Sequence, residues 1–406
     1  MKILMVSPTA THPVTAGNRA RILALAKALQ GLGHEVHFAL ATVALETADL
    51  DAMRCQFGAH LHVLKCRLPY AVTGVLPRLM RRMLRTVGDE RAWLWGLDDY
   101  YDVQLTPQLA ALCERVAYDA VCVEYVFMSK AFEAVPPGVL KILDTHDRFA
   151  LRHRTFLHAG QIPQWFSTSV AEETAGLCRA DYVMAIQDRE AEAFSTQLGA
   201  ARTRVVTVGH LLDLEVRVAP AAAPSAVFLA SDNPINVDAA EYFIERVLPL
   251  VLREQPDFSF ILAGNVGAKV VGTNPAVRRL GRVASVADAF GAARIAVNPV
   301  RLGTGLNIKM LEALACGVAC VSSETGGRGF EQYRDQAFAT VRDEDPAAMA
   351  QTILQLLRDP ARVAALGDAG LKLAREWNAQ QLTGLVQVLA GAPDSARAVA
   401  DSQAVA

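Results

Sequence analysis

Apolar residues along the chain fall into two alternating patterns. Short β-rich runs at 2–6, 35–43, 119–123, 140–144, 181–186 and 204–208 predict strands. Between them, apolar residues recur three and four apart, as at Ile22, Leu25, Ala26 and Leu29, which predicts a helix over 18–31. Gly31 and Gly33 close it, since glycine tolerates positive φ just past a helix end. Pro220 and Pro224 break the pattern, which restarts with predicted strands at 226–230, 258–263, 295–298, 318–322 and 338–341. Ala240, Phe243, Ile244, Val247, Leu248 and Val251 keep helical spacing between the first two of these. Strands that alternate with helices imply parallel sheets covered on both faces. The fold class expected is α/β, with two Rossmann-like, doubly wound lobes at 1–210 and 211–375 and ligands held in the cleft between them. The small, polar stretch 392–406 is expected to be a disordered tail.

The length of 406 residues suits two domains at roughly 150 residues each. Hydrophobic residues make up 52%, enough for a sizeable core, and the charge sum of 40 − 42 = −2 argues against a surface built for polyanions. The seven cysteines are odd in number and include no C-x-x-C pair, which suits a reduced, cytoplasmic chain. The apolar start is too short for a signal peptide, and no uncharged apolar stretch approaches the ~18 residues that span a bilayer. One segment changes this picture. At 78–85, Arg78, Arg81, Arg82 and Arg85 alternate with Leu79, Met80, Met83 and Leu84, and Trp93 and Trp95 follow. Two readings fit: a helix with solvated arginines, or a peripheral contact with an anionic membrane at its inner face.

The segment with the most chemistry follows the strand at 295–298. Gly303-Thr304-Gly305-Leu306-Asn307-Ile308-Lys309 leads into a helix that holds Glu312 and closes at Gly317. Glycines let the backbone approach a ligand, and the unpaired N–H groups of a helix start favour an anion. Arg301 and Lys309 flank that start and suit a diphosphate, while the acceptor oxygens of Glu312 suit ribose hydroxyls. A second glycine loop, 7–18, precedes the first helix, where Gly17, Asn18 and Arg21 are candidates; it is too long for a G-x-G-x-x-G turn. A third element is Asp144-Thr-His146-Asp147 at a strand end, with Arg148, Arg152, His153 and Arg154 close by as a possible solvated face. Asp49-Leu-Asp51 reads as part of a helix, Asp343-Glu-Asp345 as a helix start before Pro346, and Cys316 and Cys320 as buried thiols, so no metal site is expected.

The run from Gly305 to Gly317, followed by a strand and Gly326-Gly327, resembles the donor-site signature of the family 4 glycosyltransferases, which have the GT-B fold. The resemblance implies a hexosyltransferase-type enzyme that is retaining, metal-independent and free of cofactors. Its co-substrate would be a UDP- or GDP-linked sugar, and its acceptor a glycan or lipid-linked saccharide. The N-lobe would take the acceptor, the C-lobe the donor, and a helix at 376–391 would cross back to the N-lobe. Glu312 matches the second glutamate of the family's E-x7-E element, while Thr304 stands where the first would be and Asn307 where many members have glycine. The family's Arg/Lys pair after the first C-lobe strand is missing, which leaves the leaving diphosphate to Arg301, Lys309 and the helix N-terminus. Donor contacts would come from Gly303 to Ile308, Gly17 and Asn18. His146 would contact the donor sugar, with Asp144 and Asp147 orienting the ring or binding a hydroxyl. Two alternatives stay open: a nucleotide-sugar 2-epimerase of the same fold, or a catalytically degenerate scaffold. A nucleic-acid acceptor is disfavoured by the near-neutral charge.

Overall fold

In the computed structural model, the first apolar run forms strand β1 (Lys2–Ser7), with Ile3, Leu4, Met5 and Val6 wholly buried. The structure describes residues 1–392 except 159, 161, 164, 213, 215, 216, 273, 304 and 305. Two units emerge. One comprises Met1–Val14, Asn18–Gly209 and the chain from Gln381 on; the other comprises Thr15–Gly17 and His210–Gln380.

The first unit holds a seven-stranded sheet made of β1, β2 (Glu35–Leu40), β3 (Leu61–Val63), β4 (Ala120–Glu124), β5 (Leu140–Asp144), β6 (Tyr182–Ala185) and β7 (Arg204–Thr207). Its order is β3-β2-β1-β4-β5-β6-β7, with every pairing parallel. The winding direction reverses between β1 and β4. In such sheets a crevice opens there, beyond the carboxyl ends of the strands. Helix Gly17–Gly31 buries Ile22, Leu25, Ala26 and Leu29, the stripe its periodicity predicts, and also Arg21.

The second unit repeats the plan with β8 (Ser225–Leu229), β9 (Ser259–Ala263), β10 (Val277–Gly281), β11 (Ile295–Asn298), β12 (Cys320–Ser323) and β13 (Ala339–Val341). The order β10-β9-β8-β11-β12-β13, again parallel, puts its switch point between β8 and β11. Core residues cover both faces: Phe228, Phe243 and Phe260 belong to one cluster, and Met310, Leu314 and Phe330 to the other. Helix Pro234–Tyr242 continues through a π turn, Phe243–Val247, into helix Leu248–Glu254. Pro249 has no N–H to return to the carbonyl of Glu245, which accounts for the widened turn.

Two strands lie outside the predicted runs. β3 has three residues at a sheet edge, and β10 carries Arg278 and Arg279 on the opposite unit's edge, so neither forms an apolar run. The strand predicted over 35–43 stops at Leu40. At the far end, helix Pro360–Leu389 runs past Gln381, whose Oε1 accepts the Gly209 N–H at 2.6 Å. Ala392, expected in the tail, is buried, and 393–406 lie outside the described residues.

Helix Val75–Thr86 turns an apolar face outward: Val75, Leu76, Leu79, Met80 and Met83 are 52–80% exposed. Its arginines are not all solvated, as one reading expected. Arg81 lies 3.4 Å from the Trp95 ring centroid and donates to the Leu94 carbonyl at 2.7 Å, while Arg85 sits 4.2 Å from the Trp93 centroid. Among the described residues no helix is long and apolar enough to cross a membrane.

Candidate functional site

In the second unit, β8 and β11 end beside each other, and the two following helices start there. Asn233 caps helix Pro234–Tyr242, its side chain accepting from Ile235 N at 3.0 Å. The chain after β11 reaches helix Ile308–Ala315 through Arg301 and Gly303; Thr304 and Gly305 lie outside the described residues. Gly303 has φ 119, and its carbonyl accepts from Arg328, a residue that sequence reasoning did not single out. Leu306, Asn307 and Ile308 are half-buried. Asn307 stands at the N-cap without capping, since its Nδ2 donates instead to Asn298 Oδ1 at 3.3 Å. Among the described residues no side chain caps the first turn, where Ile308 N donates to Leu306 O at 3.2 Å and Met310 N to Asn307 O at 3.0 Å, and the positive end of the helix suits an anion. The helix closes as expected: Gly317 takes φ 70, with Val318 N bonded to Ala313 O at 3.1 Å and Gly317 N to Leu314 O at 2.9 Å.

Lys309 and Glu312 are one turn apart on this helix, which puts them on one face. Lys309 Nζ donates to the neutral Asn236 Oδ1 at 2.9 Å and lies 5.6 Å from the Phe228 centroid. Burial pushes the Lys309 ammonium down to about 8, against the attraction of Glu312. Burial likewise pushes Glu312 up to about 7, against Lys309. Arg301 is placed differently. It donates to Asp238 at 2.9 Å and Glu344 at 3.1 Å, with its guanidinium 4.2 Å from the Tyr242 centroid. The two cations expected to share one task thus differ: Arg301 is already matched by two carboxylates, and Lys309 is held by an amide.

In the first unit, Glu124 and Asp144 are register partners at the ends of β4 and β5, and both are fully buried. Arg21 meets Asp144 through two bonds, Nε to Oδ2 at 2.9 Å and Nη2 to Oδ1 at 2.6 Å, and reaches the Val208 carbonyl at 2.7 Å. His146 Nε2 lies 2.6 Å from Glu124 Oε2 and 3.6 Å from Asp144 Oδ2. Its ring stacks on Tyr125 at 4.0 Å between centroids, and Asn18 Nδ2 donates to Tyr125 Oη at 3.0 Å. Tyr125 (φ 71) and His146 (φ 60) both occupy the left-handed region, at about 1–3 kcal/mol each for such residues. Strain of this kind marks places where side-chain aim matters. Gly17 opens helix Gly17–Gly31 and groups with the second unit.

The charge state of this cluster follows from its burial. Burial, then Asp144, pushes Glu124 well above the usual carboxylate range. Burial works against the Asp144 carboxylate too, but Arg21 and His146 outweigh it and hold it below its ordinary value. Burial takes His146 down to about 4, with Asp144 only partly opposing. The cluster is therefore a neutral set of Arg21⁺, Asp144⁻, protonated Glu124 and uncharged His146. Glu124 Oε2 meets His146 Nε2 at 2.6 Å, and a side-chain hydrogen bond with Asp144 adds to the rise of the Glu124 pKa.

Three expectations need correcting here. Glu124, which sequence reasoning missed, holds the His146 ring at the shortest distance, while Asp147 pairs with Arg152 at 2.9 Å. Arg21 and Asp144, offered as acceptor or auxiliary residues, are buried and paired with each other. Arg152 and His153 do not form a solvated face either, since His153 is buried against Ser167.

Comparison with known proteins places these features. Residues 223–359 match the family described as "Glycosyl transferases group 1". A GDP-mannose-dependent monoacylated α-(1-6)-phosphatidylinositol monomannoside mannosyltransferase of Corynebacterium glutamicum is 27% identical over 35% of this chain and 42% of its own length. D-inositol 3-phosphate glycosyltransferase 1 of Catenulispora acidiphila is 27% identical over 50% of this chain and 56% of its own. The chain thus spans about half the length of these curated relatives. Among solved structures, TarM superposes with a TM-score of 0.66 at 9% identity, covering 95% of this chain and 98% of that one. HepE of Anabaena in complex with UDP gives 0.63 at 13% identity, covering 96% and 100%. The group 1 match over 223–359 and these relatives support a glycosyltransferase of the family 4 type, and the two parallel doubly wound sheets with these solved structures give the GT-B fold.

Proposed function

We propose that this protein is a retaining glycosyltransferase that moves a sugar from a UDP- or GDP-linked donor to a hydroxyl of a glycan or lipid-linked acceptor. The observation that carries the reading is the Lys309–Glu312 face at the switch point of the second unit. A half-buried ammonium held by an amide, beside an uncapped helix start, suits a diphosphate. Glu312, one turn on, suits the ribose. Arg301, matched by Asp238 and Glu344, serves the diphosphate less directly than Lys309. The leaving diphosphate, stabilised in this way, itself takes the acceptor's proton, so no resident metal is needed. His146 addresses a sugar hydroxyl.

Calorimetric titration with UDP, GDP, TDP and CDP without added metal tests the donor half. Selective binding of UDP or GDP, weakened in Glu312→Ala by about 1.5–3 kcal/mol, is the expected result, the scale of a charge-assisted hydrogen bond. Binding of none of the four would instead support the degenerate scaffold.

For a lipid-linked acceptor the protein would work at the inner face of a membrane. The outward apolar face of helix Val75–Thr86, with Arg78 and Arg82 beside it, suits anionic lipid. Co-sedimentation with phosphatidylglycerol vesicles but not phosphatidylcholine vesicles is expected, and should be lost in Leu79→Ser/Met83→Ser. Equal binding to both vesicles, or binding that survives the substitutions, would remove this face from the proposal.

A further inference from the structure

We propose that Glu35, His37 and His60 form a binding site for one divalent transition-metal ion of the zinc class. Strands β2 and β3 pair in parallel with Phe38 opposite Leu61 and Ala39 opposite His62. That register carries His37 opposite His60, just before β3. Because strand side chains alternate, Glu35-x-His37 and His60-x-His62 fall on one face. One ligand atom from each of Glu35, His37 and His60 lies within 4.8 Å of the others, and His37 Nε2 is 2.9 Å from Glu35 Oε1. A tetrahedral zinc ion with bonds near 2.0–2.1 Å separates its ligand atoms by about 3.3 Å, so only small side-chain movements are needed. The main one is at His60. Its ring stacks on His37 with centroids 4.1 Å apart and 7° between planes, and it must splay for the two lone pairs to converge.

The other side of His37 is already arranged for a ligand's role. Its Nδ1 is 3.0 Å from both Tyr118 Oη and His62 Nε2. With Nε2 given to a metal, the ring proton sits on Nδ1 and donates to one of these acceptors, the outer-shell bond that orients a metal-bound imidazole. Imidazole with carboxylate and an open position matches a known zinc ligand set. Lys2, whose ammonium is 3.9 Å from Glu35, is half-exposed and free to turn away.

The site is separate from the proposed transfer chemistry. Glu35 and His37 lie in the amino half of β2, whereas Glu124, Asp144 and His146 gather at carboxyl ends. That second trio also has ligand atoms within 4.8 Å of one another. There, however, Arg21 already matches Asp144, and a cation would be repelled. At the β2–β3 edge a metal would tie the turn Gly58–His60 and the three-residue edge strand β3 to their neighbour.

The test uses the full chain with any polyhistidine tag removed and metal stripped by chelation. Titration with Zn²⁺ by calorimetry, and with Co²⁺ by visible absorption, is expected to show one ion per chain and a higher unfolding temperature in Zn²⁺. The Glu35 side chain is 40% exposed and His60 partly so, so Glu35→Gln/His60→Ala should fold, as far-ultraviolet circular dichroism would verify, and should lose at least 100-fold in affinity together with the thermal shift. Tyr118→Phe should lose less. No stoichiometric zinc on the wild-type chain at micromolar concentration, or unchanged binding in Glu35→Gln/His60→Ala, would overturn the proposal.

Discussion

Lys309 makes the donor site sensitive to pH in a direction that can be worked out. Its ammonium titrates at about 8, and a diphosphate needs it charged. A bound diphosphate raises that pKa, so binding draws a proton onto Lys309 and affinity falls as pH rises through 8. At pH 7 roughly nine sites in ten carry the charge, and at pH 9 roughly one in ten, a loss of about tenfold or 1.4 kcal/mol. Glu312 acts in the opposite sense. It titrates at about 7, so its carboxylate goes from about half to fully ionised over the same range and strengthens the ribose contact by at most about twofold. The terminal phosphate of the nucleotide, with a pKa of about 6, is already ionised. UDP or GDP should therefore bind about fivefold more weakly at pH 9 than at pH 7. Calorimetry at pH 8 in buffers of differing ionisation enthalpy should register about 0.4 proton taken up per nucleotide. Lys309→Arg carries a charge that does not titrate in this range, so its affinity should hold or rise slightly. Wild-type affinity that stays flat or rises from pH 7 to 9, with no proton uptake, would refute the reasoning.

Further expectations come from the pairs described above. Arg301→Met should weaken nucleotide binding less than Lys309→Met does, because Arg301 already faces Asp238 and Glu344; paired titrations of the two variants decide this. Arg21→Met leaves the Asp144 carboxylate buried without its cation, and urea denaturation should show a loss of about 3–5 kcal/mol. Gly317→Ala puts a side chain at φ 70 and should cost about 1–2 kcal/mol in the same assay, with nucleotide affinity little changed.

The parallel sheets were legible because their central strands are mostly buried on both sides and read as short runs rich in apolar and β-branched residues. β1, β4, β5, β8 and β9 all coincide with such runs to within a residue or so. β3 and β10 were not legible for the same physical reason in reverse. Each forms a sheet edge, and the three residues of β3 and the arginines of β10 stay partly in water, so no run marks them. What pairs them is the neighbouring strand, which local sequence does not encode. The close of helix Ile308–Ala315 was readable because its left-handed Gly317 is a local requirement.

The candidate site divides along the same line between local and distant causes. Lys309 and Glu312 are three residues apart on one helix, so their shared face could be read directly. The state of Arg301 could not, because Asp238 and Glu344 lie 63 and 43 residues away and reach it only through the fold. Glu124 is the most instructive case. It ends an apolar run, as Asp144 does, but nothing near either residue says that β4 and β5 pair with these two positions side by side. Once they do, two buried carboxyls share one guanidinium, and only one of them can stay ionised. The other keeps its proton, and its Oε2 meets His146 Nε2 at 2.6 Å. The carboxyl that holds the His146 ring is thus set by strand register rather than by its own neighbours in the chain.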